Sequence, residues 1–230
     1  MASTQVPHPL DHVAWYALAT SQRHLAVGND SALRYPSEIG PFAALAADTL
    51  DCWRALADIT TPQDRVALFT FDEFAVPEQF ELVTRAMVHQ MVLTRPPGNA
   101  APNIVGLDAR DVPDMLELVR LTQPGPFGPR TNEIGRYYGI RMDGKLVAMT
   151  GERMRLPGFT EISAVCTDPA YRGLGYAAGL MNFAASEIVE RGETPFLHVF
   201  SHNASAIALY EKLGYVLRRG LHLLVVHKTG

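Results

Sequence analysis

Two runs in the C-terminal half of this 230-residue chain carry residue types and spacings that can do chemistry: TDPAYRGLGYA over 167–177, and NASAIALYEKLGY over 203–215. In the first, Arg172, Gly173, Leu174, Gly175, Tyr176, Ala177 and Ala178 lead into YAAGLMNFAASEIVER, whose apolar residues recur at helical spacing. The first N–H groups of a helix lack internal partners and sit at the positive end of its dipole, and glycines let an anion approach the backbone. The turn therefore suits a phosphate or diphosphate. In the second run Asn203 precedes Tyr210 by seven residues, which at 3.6 residues per turn returns to within about 20° of the same face. An amide and a phenol can thus address one ligand, and a phenol, with its reference pKa of about 10, can hand a proton to a departing thiolate.

The glycine turn needs a strand before it and a helix after it. EISAVCT (161–167) is rich in β-branched and small apolar types and reads as a buried strand, ended by Asp168-Pro169. Gly173-x-Gly175-x-x-Ala178 also fits the loose dinucleotide fingerprint, yet the next strand ends near His198 and Ser201 instead of a ribose-binding carboxylate, and residues 168–172 separate strand from glycine. The spacing Arg172-x-x-Gly175-x-Ala177, with Asn203 and Tyr210 seven apart, instead resembles the acyl-CoA loop and second motif of the GNAT superfamily of N-acetyltransferases. TEISAVCTDPAYRGLG from Thr160, PFLHV from Pro195 and ALYEKLGY from Ala208 are similar to its FR47-like branch.

The resemblance spans about residues 103–230. It implies an α/β fold with a mixed, mostly antiparallel sheet whose central strands, bearing Glu161 and His198, splay apart. It also implies acetyl-CoA as co-substrate: backbone groups of Val165, Cys166 and Thr167 on the pantetheine and acetyl carbonyl, residues 173–178 on the diphosphate, and Asn203 and Tyr210 beside the arm and sulfur. The reaction implied is direct attack, in a ternary complex, by a primary amine of a small molecule, amino acid or peptide. A non-catalytic acyl-CoA-binding regulatory module is the alternative; Glu161 and Tyr210 favour the enzyme, because a binder needs neither base nor acid.

For the proton acceptor, Glu161 stands four residues before Val165, where the superfamily's histone-acetylating members carry a strand glutamate; a solvated carboxylate at a strand entrance is the bland alternative. Glu152 on the preceding strand and His198 compete with it. His198 occupies the position of a glutamate in the superfamily's ribosomal-protein acetyltransferases, and a lone histidine on an apolar strand is more often a hydrogen-bonded core residue. A backbone N–H within 165–167 is the expected oxyanion donor. Cys166, flanked by apolar strand, reads as a small hydrophobe and not a nucleophile. In the loop TQPGPFGPRTNEIG (122–135), Phe127 and Arg130, with Tyr138 just beyond, are candidates for choosing the amine, Arg130 as a carboxylate clamp; three prolines stiffening a surface loop are the other reading.

Cys52 and Cys166 are the only cysteines, without metal spacing or a disulfide framework, so no metal and a reducing cytoplasm are expected. A net charge of -4 without a basic run speaks against nucleic acid. MASTQVPHPLDH lacks a basic-then-apolar leader, and no window approaches the roughly 18 apolar residues of a membrane span. Oligomeric state stays open. The Pro- and Gly-rich stretch TRPPGNAAP divides the chain into an N-terminal α/β region (1–95), a linker (96–102) and the acetyl-CoA-binding region (103–230). The first holds helical patterns at 13–27 and 42–59 and strand patterns at 66–71 and 88–93, as a degenerate acetyltransferase-like half or an unrelated cap. The second reads as strand 104–107, helix 112–122, a second helix near 131–138, strands 139–142, 146–154 and 161–167, then helix, strand, helix and a final strand pair.

Overall fold

The computed structural model describes residues 8–71 and 75–229. A proline-led turn enters α1 (Val13–Ala19), followed by β1 (Val27–Gly28), β2 (Ala32–Arg34) and β3 (Ala43–Leu45), which form a small sheet, then α2 (Leu50–Asp58), β4 (Val66–Thr70) and β5 (Phe80–Leu93). Next come β6 (Ile104–Leu107), α3 (Val112–Thr122), β7 (Tyr137–Met142), β8 (Lys145–Leu156), β9 (Phe159–Thr167), α4 (Tyr176–Glu190), β10 (Thr194–Phe200), α5 (Ala204–Leu213) and β11 (Tyr215–Lys228). Among the described residues the main sheet has eight strands in the order β4-β11-β5-β10-β9-β8-β7-β6, antiparallel throughout except for the parallel β10–β9 pair. This is the mixed, mostly antiparallel sheet that the resemblance implied.

Several local expectations are corrected. The first helix stops at Ala19, and the second begins only at Leu50, where the Thr49 side chain caps it by accepting the Cys52 N–H; the residues before it pair with β2 as β3. The helix expected near 131–138 is a single 3-10 turn, Thr131–Ile134, before β7. The expected C-terminal strand pair is one strand, β11. Arg218-Arg219-Gly220 looks like a turn in sequence, but β5 offers an equally long partner, and the extra residue is absorbed as a bulge between Leu217 and Arg219. The Arg218 guanidinium is tied down on Gln90 Oε1 at 2.9 Å and Asp11 at 2.5 Å.

β5 pairs with β11 along its length and with β10 over 88–92, so strands from both sides of residues 96–102 share one sheet. Alternation divides the core between two faces. On one, α4 places Leu180, Met181, Ala184 and Ile188 against Tyr138, Val147, Ile162 and Leu197; on the other, Met115 and Leu118 of α3 meet Tyr137, Met149 and Cys166. The 96–102 segment crosses α4 closely: the Gly98 N–H donates to Asn182 Oδ1 at 3.2 Å, and Asn182 Nδ2 donates to the Asn99 carbonyl at 2.9 Å. Gly179 permits this approach, since a Cβ there would stand 2.5 Å from the Ala101 amide nitrogen. Gly179→Ala should therefore lower stability by about 1–3 kcal/mol in urea unfolding despite alanine's better helix propensity; a neutral or stabilising result would show that the crossing yields freely.

Candidate active site

β9 and β10 pair over only three rungs, Thr194↔Phe159, Pro195↔Thr160 and Phe196↔Glu161, and part beyond them. Residues 162–167 and 197–200 then line a cleft of about 980 Å³. On its other side β9 breaks register with β8: Ser163 faces Gly151 and Cys166 faces Met149, which leaves one extra residue on β9. Ala164 takes φ +52°, a left-handed conformation that a β-carbon disfavours, as part of this bulge. Parting and bulge together withdraw backbone groups of β9 from the ladder on the cleft side.

At one end of the cleft lies the glycine turn. Gly173 (φ +81°) and Gly175 (φ +79°) are left-handed, which is why glycine stands at both, and the space beside each is open. Gly175 is the N-cap of α4 and no side chain caps the first turn. Arg172 and Ala177 border the cleft, Leu174 is exposed, and Tyr176 turns away to put its hydroxyl 3.7 Å from Met142 Sδ. Thr167 borders the cleft, and its Oγ1 is turned into the protein as a buried polar atom with no partner among the described residues. Asn203 accepts the Ala206 N–H at 3.2 Å and so caps α5. Tyr210, one face of that helix further on, lines the cleft; burial pushes its phenol up to about 12, so it stays protonated. Uncapped helical N–H groups, the edge of β9 that β10 leaves open and a protonated phenol along one cleft fit the phosphates, pantetheine and sulfur of an acyl-CoA.

At the other end the floor is ionic. Glu161 is fully buried at the last paired rung; its carboxylate accepts from Arg153 Nε at 2.8 Å and from Arg153 Nη2, and it holds His198 Nδ1 at 2.7 Å. Burial alone would raise this carboxyl, but the Arg153 charge and His198, with their hydrogen bonds, hold it down at about 2. Glu161 does not line the cleft, and its oxygens are taken. The sequence-based assignment of Glu161 as a free base is corrected accordingly: a weakly basic, saturated carboxylate positions its neighbours. His198 does line the cleft, stacked on Phe69 with ring centroids 4.4 Å apart. Its Nε2 lies 3.2 Å from Gln90 Nε2, which also donates to the Leu10 carbonyl while Gln90 Oε1 accepts from Arg218, so the amide is a donor to Nε2 and Nδ1–H points at Glu161.

The other substrate candidates divide. Phe127 is at the cleft wall, edge-on to Tyr137 at 5.6 Å. Arg130 is not: its guanidinium is spent on Glu133 at 2.8 and 2.7 Å on the exposed surface. Glu152 projects to the opposite sheet face, paired with Arg191 at 2.6 Å, and Tyr138 packs there against Phe183. Cys166 is buried, and burial pushes its thiol up to about 11, the state of an unreactive packing residue. Arg153, Phe42 and Phe69, all at the cleft, were missed. Strand alternation puts Glu152 and Arg153 on opposite faces but does not say which face is the site, and the two phenylalanines come from the N-terminal region, with no local signal of proximity.

The family model for FR47-like proteins matches residues 137–223. The [ribosomal protein bS18]-alanine N-acetyltransferase of Escherichia coli K12 is 30% identical over 118 residues, covering 49% of this chain and 79% of that protein. A solved structure from Novosphingobium aromaticivorans, described as an acetyltransferase of the GNAT family, is 38% identical, covers 97% of this chain and 100% of its own, and superposes with a TM-score of 0.91. A GCN5-related N-acetyltransferase from Kribbella flavida, at 17% identity and a TM-score of 0.61 over 95% of this chain and 96% of that one, shares the fold.

A carboxyl whose folded pKa is depressed adds stability above its unfolded pKa and loses it as pH falls through the folded one. Glu161, held near 2 against an ordinary 4.5, should contribute on the order of 3 kcal/mol that disappears between about pH 4.5 and 2. Equilibrium unfolding across that range should fall steeply for the native chain and less steeply for Glu161→Gln; parallel curves would mean the carboxylate is not held as described.

Proposed function

The chain belongs to the GNAT family of acetyltransferases, and from that premise we propose that it transfers the acetyl group of acetyl-CoA to a primary amine of a small molecule, amino acid or peptide by direct attack in a ternary complex. The observation that carries this reading is the single cleft running from the left-handed glycine turn, past Tyr210, to the Arg153–His198 floor, opened where β9 leaves β10. When bound, acetyl-CoA supplies a thioester already activated toward an amine.

The residues divide the work. The N–H groups from Gly173 to Ala178 take the diphosphate, with Arg172 beside them. The edge of β9 that β10 leaves open, over Val165, Cys166 and Thr167, takes the amides of the pantetheine arm, as an added strand would. An N–H of the bulged segment is placed to hold an oxyanion, a fixed dipole that needs no reorientation as charge develops. Tyr210 lends its phenolic proton to the departing thiolate and regains, through solvent, the proton that the acceptor nitrogen sheds as the amide forms, and Asn203 fixes the start of α5 so that the phenol is held in place. His198, its tautomer set by Glu161 and Gln90, walls the acceptor side.

Carboxylates do not offer themselves as the base. Among the described residues lining the cleft the one acidic side chain is Asp64, and hydrogen bonds from Arg34 (2.8 Å), Ser37 and Thr61 hold it well below the usual carboxylate range. The amine therefore arrives as the free base or gives its proton to water. The Escherichia coli relative, named for an alanine of a ribosomal protein, supports including peptide amines among the acceptors. Among the described residues no helix is long and apolar enough to cross a membrane, and both cysteines are free, which supports a cytoplasmic site of action.

Thiol release from acetyl-CoA against a panel of amines, amino acids and peptides tests the activity; tight acetyl-CoA binding without release for any acceptor would refute it. Tyr210→Phe should lower kcat by roughly 10²–10⁴ with acetyl-CoA affinity nearly unchanged, whereas a large affinity loss would make the tyrosine structural. The pH profile of kcat/KM should rise and level off at the pKa of whichever acceptor is used, moving when a less basic amine replaces it. A limb that stays at one pH for every acceptor, and is lost in His198→Gln, would instead identify His198 as the base.

A further inference from the structure

Arg153 reaches the acceptor end of the cleft from β8 with its guanidinium already fixed. Nε and Nη2 are occupied by Glu161, and Cζ stands 4.4 Å over the centroid of the Phe42 ring. Nη1 makes no hydrogen bond among the described residues, yet it is not one of the buried, unpartnered atoms, so it opens on the cleft that the side chain lines. Because Glu161 balances the charge, what Arg153 offers there is a directed N–H donor more than net positive charge. Such a donor pairs with a carbonyl or carboxylate oxygen, and its rigid fork means little entropy is lost in doing so. Phe42 lies against it, and the cleft is lined by the apolar Phe69, Val88, Leu223 and Val225 as well as by Ser37, Asp64 and Thr84, with the Asp64 carboxylate engaged by Arg34 and Ser37.

Resting on the acetyltransferase reading above, we infer that the acceptor is an α-amino acyl compound with an apolar side chain, whose carbonyl or carboxylate oxygen, on the carbon next to the one bearing the amine, is received by Arg153 Nη1. Arg153 is thus a specificity-determining residue, and it takes the clamp role that the exposed Arg130 does not fill. A free amino acid and a peptide N-terminus share this oxygen.

Initial rates of thiol release at saturating acetyl-CoA, expressed per free-base amine, decide the matter with four acceptors: phenethylamine, phenylalanine, phenylalaninamide and a tripeptide beginning with phenylalanine. The oxygen-bearing acceptors should exceed phenethylamine in kcat/KM by about tenfold or more, since a site built to pair with a polar group discriminates against the analogue lacking it. Preference for phenylalanine would identify a free amino acid; preference for the amide and tripeptide would identify a peptide. In Arg153→Lys, which keeps a charge for Glu161 but loses the fork, the ratio should fall toward one. Equal rates in the native chain, or a ratio that survives the substitution, would overturn the inference while leaving the acetyltransferase reading intact. Calorimetric binding of 3-phenylpropanamide, which has the oxygen but no amine, needs no turnover: it should bind the native chain and bind Arg153→Lys at least about tenfold more weakly. Should Arg153→Lys not fold, the charge-neutral pair Arg153→Gln with Glu161→Gln replaces it. If no amine releases thiol, the acetyltransferase reading falls, and the 3-phenylpropanamide result still decides the Arg153 contact.

Discussion

A carboxylate buried at the point where two strands part holds the architecture of the cleft together. Glu161 sits on the last rung between β9 and β10, and its ion pair with Arg153 joins β8 to β9 while its bond to His198 joins β9 to β10. Desolvating such a pair is costly, and replacing both partners with apolar groups can be neutral, whereas removing one strands a charge at a cost of about 3–5 kcal/mol. What the arrangement contributes is geometry. From His198 the bonds continue through Gln90 on β5 to Arg218 on β11 and Asp11 ahead of α1, so one chain of polar contacts crosses the central strands. The cleft floor cannot shift without disturbing all of them, and this suits a site that must hold two ligands in register.

The N-terminal region is part of this construction. It contributes β5, which fills the position between β10 and β11, and it contributes Phe42 and Phe69, which back the Arg153 guanidinium and the His198 ring. Cofactor and acceptor ends of the cleft accordingly draw on different parts of the chain. The glycine turn, β9 and α5 all lie beyond residue 158, whereas Phe42, Asp64, Phe69 and Val88 wall the acceptor end from the other side of residues 96–102. Change in the first 95 residues can therefore alter what is accepted while leaving the acyl donor's contacts in place.

Features encoded within a few residues were legible in advance. The strand–turn–helix around Gly173 and Gly175, the Asn203–Tyr210 interval and the parting of the strands bearing Glu161 and His198 each rest on local spacing or on family resemblance, and the turn, the interval and the parting are present. The acceptor end was legible in Phe127 and His198. Periodicity says that Glu152 and Arg153 oppose one another but not which of them faces the cleft, and the left-handed Ala164 inserts a bulge that no pattern of residue types announces. Arg130 appeared available because its partner, three residues on, was not weighed; local ion pairs of this kind form readily on an exposed turn. Glu161 was placed on the right strand, and its basicity was misjudged because Arg153 pairs with it across a register that sequence does not display.

The position of β5 also bears on how the chain reaches this state. Its neighbours on either side, residues 194–200 and 215–228, are more than 100 positions away along the chain, and both are made after it. During synthesis β5 must wait with both edges unpaired until β10 is made, and with one edge unpaired until β11 follows, so the first 95 residues cannot complete their sheet by themselves. High contact order of this kind slows folding and leaves the edges of β5 open to wrong partners until β10 and β11 arrive.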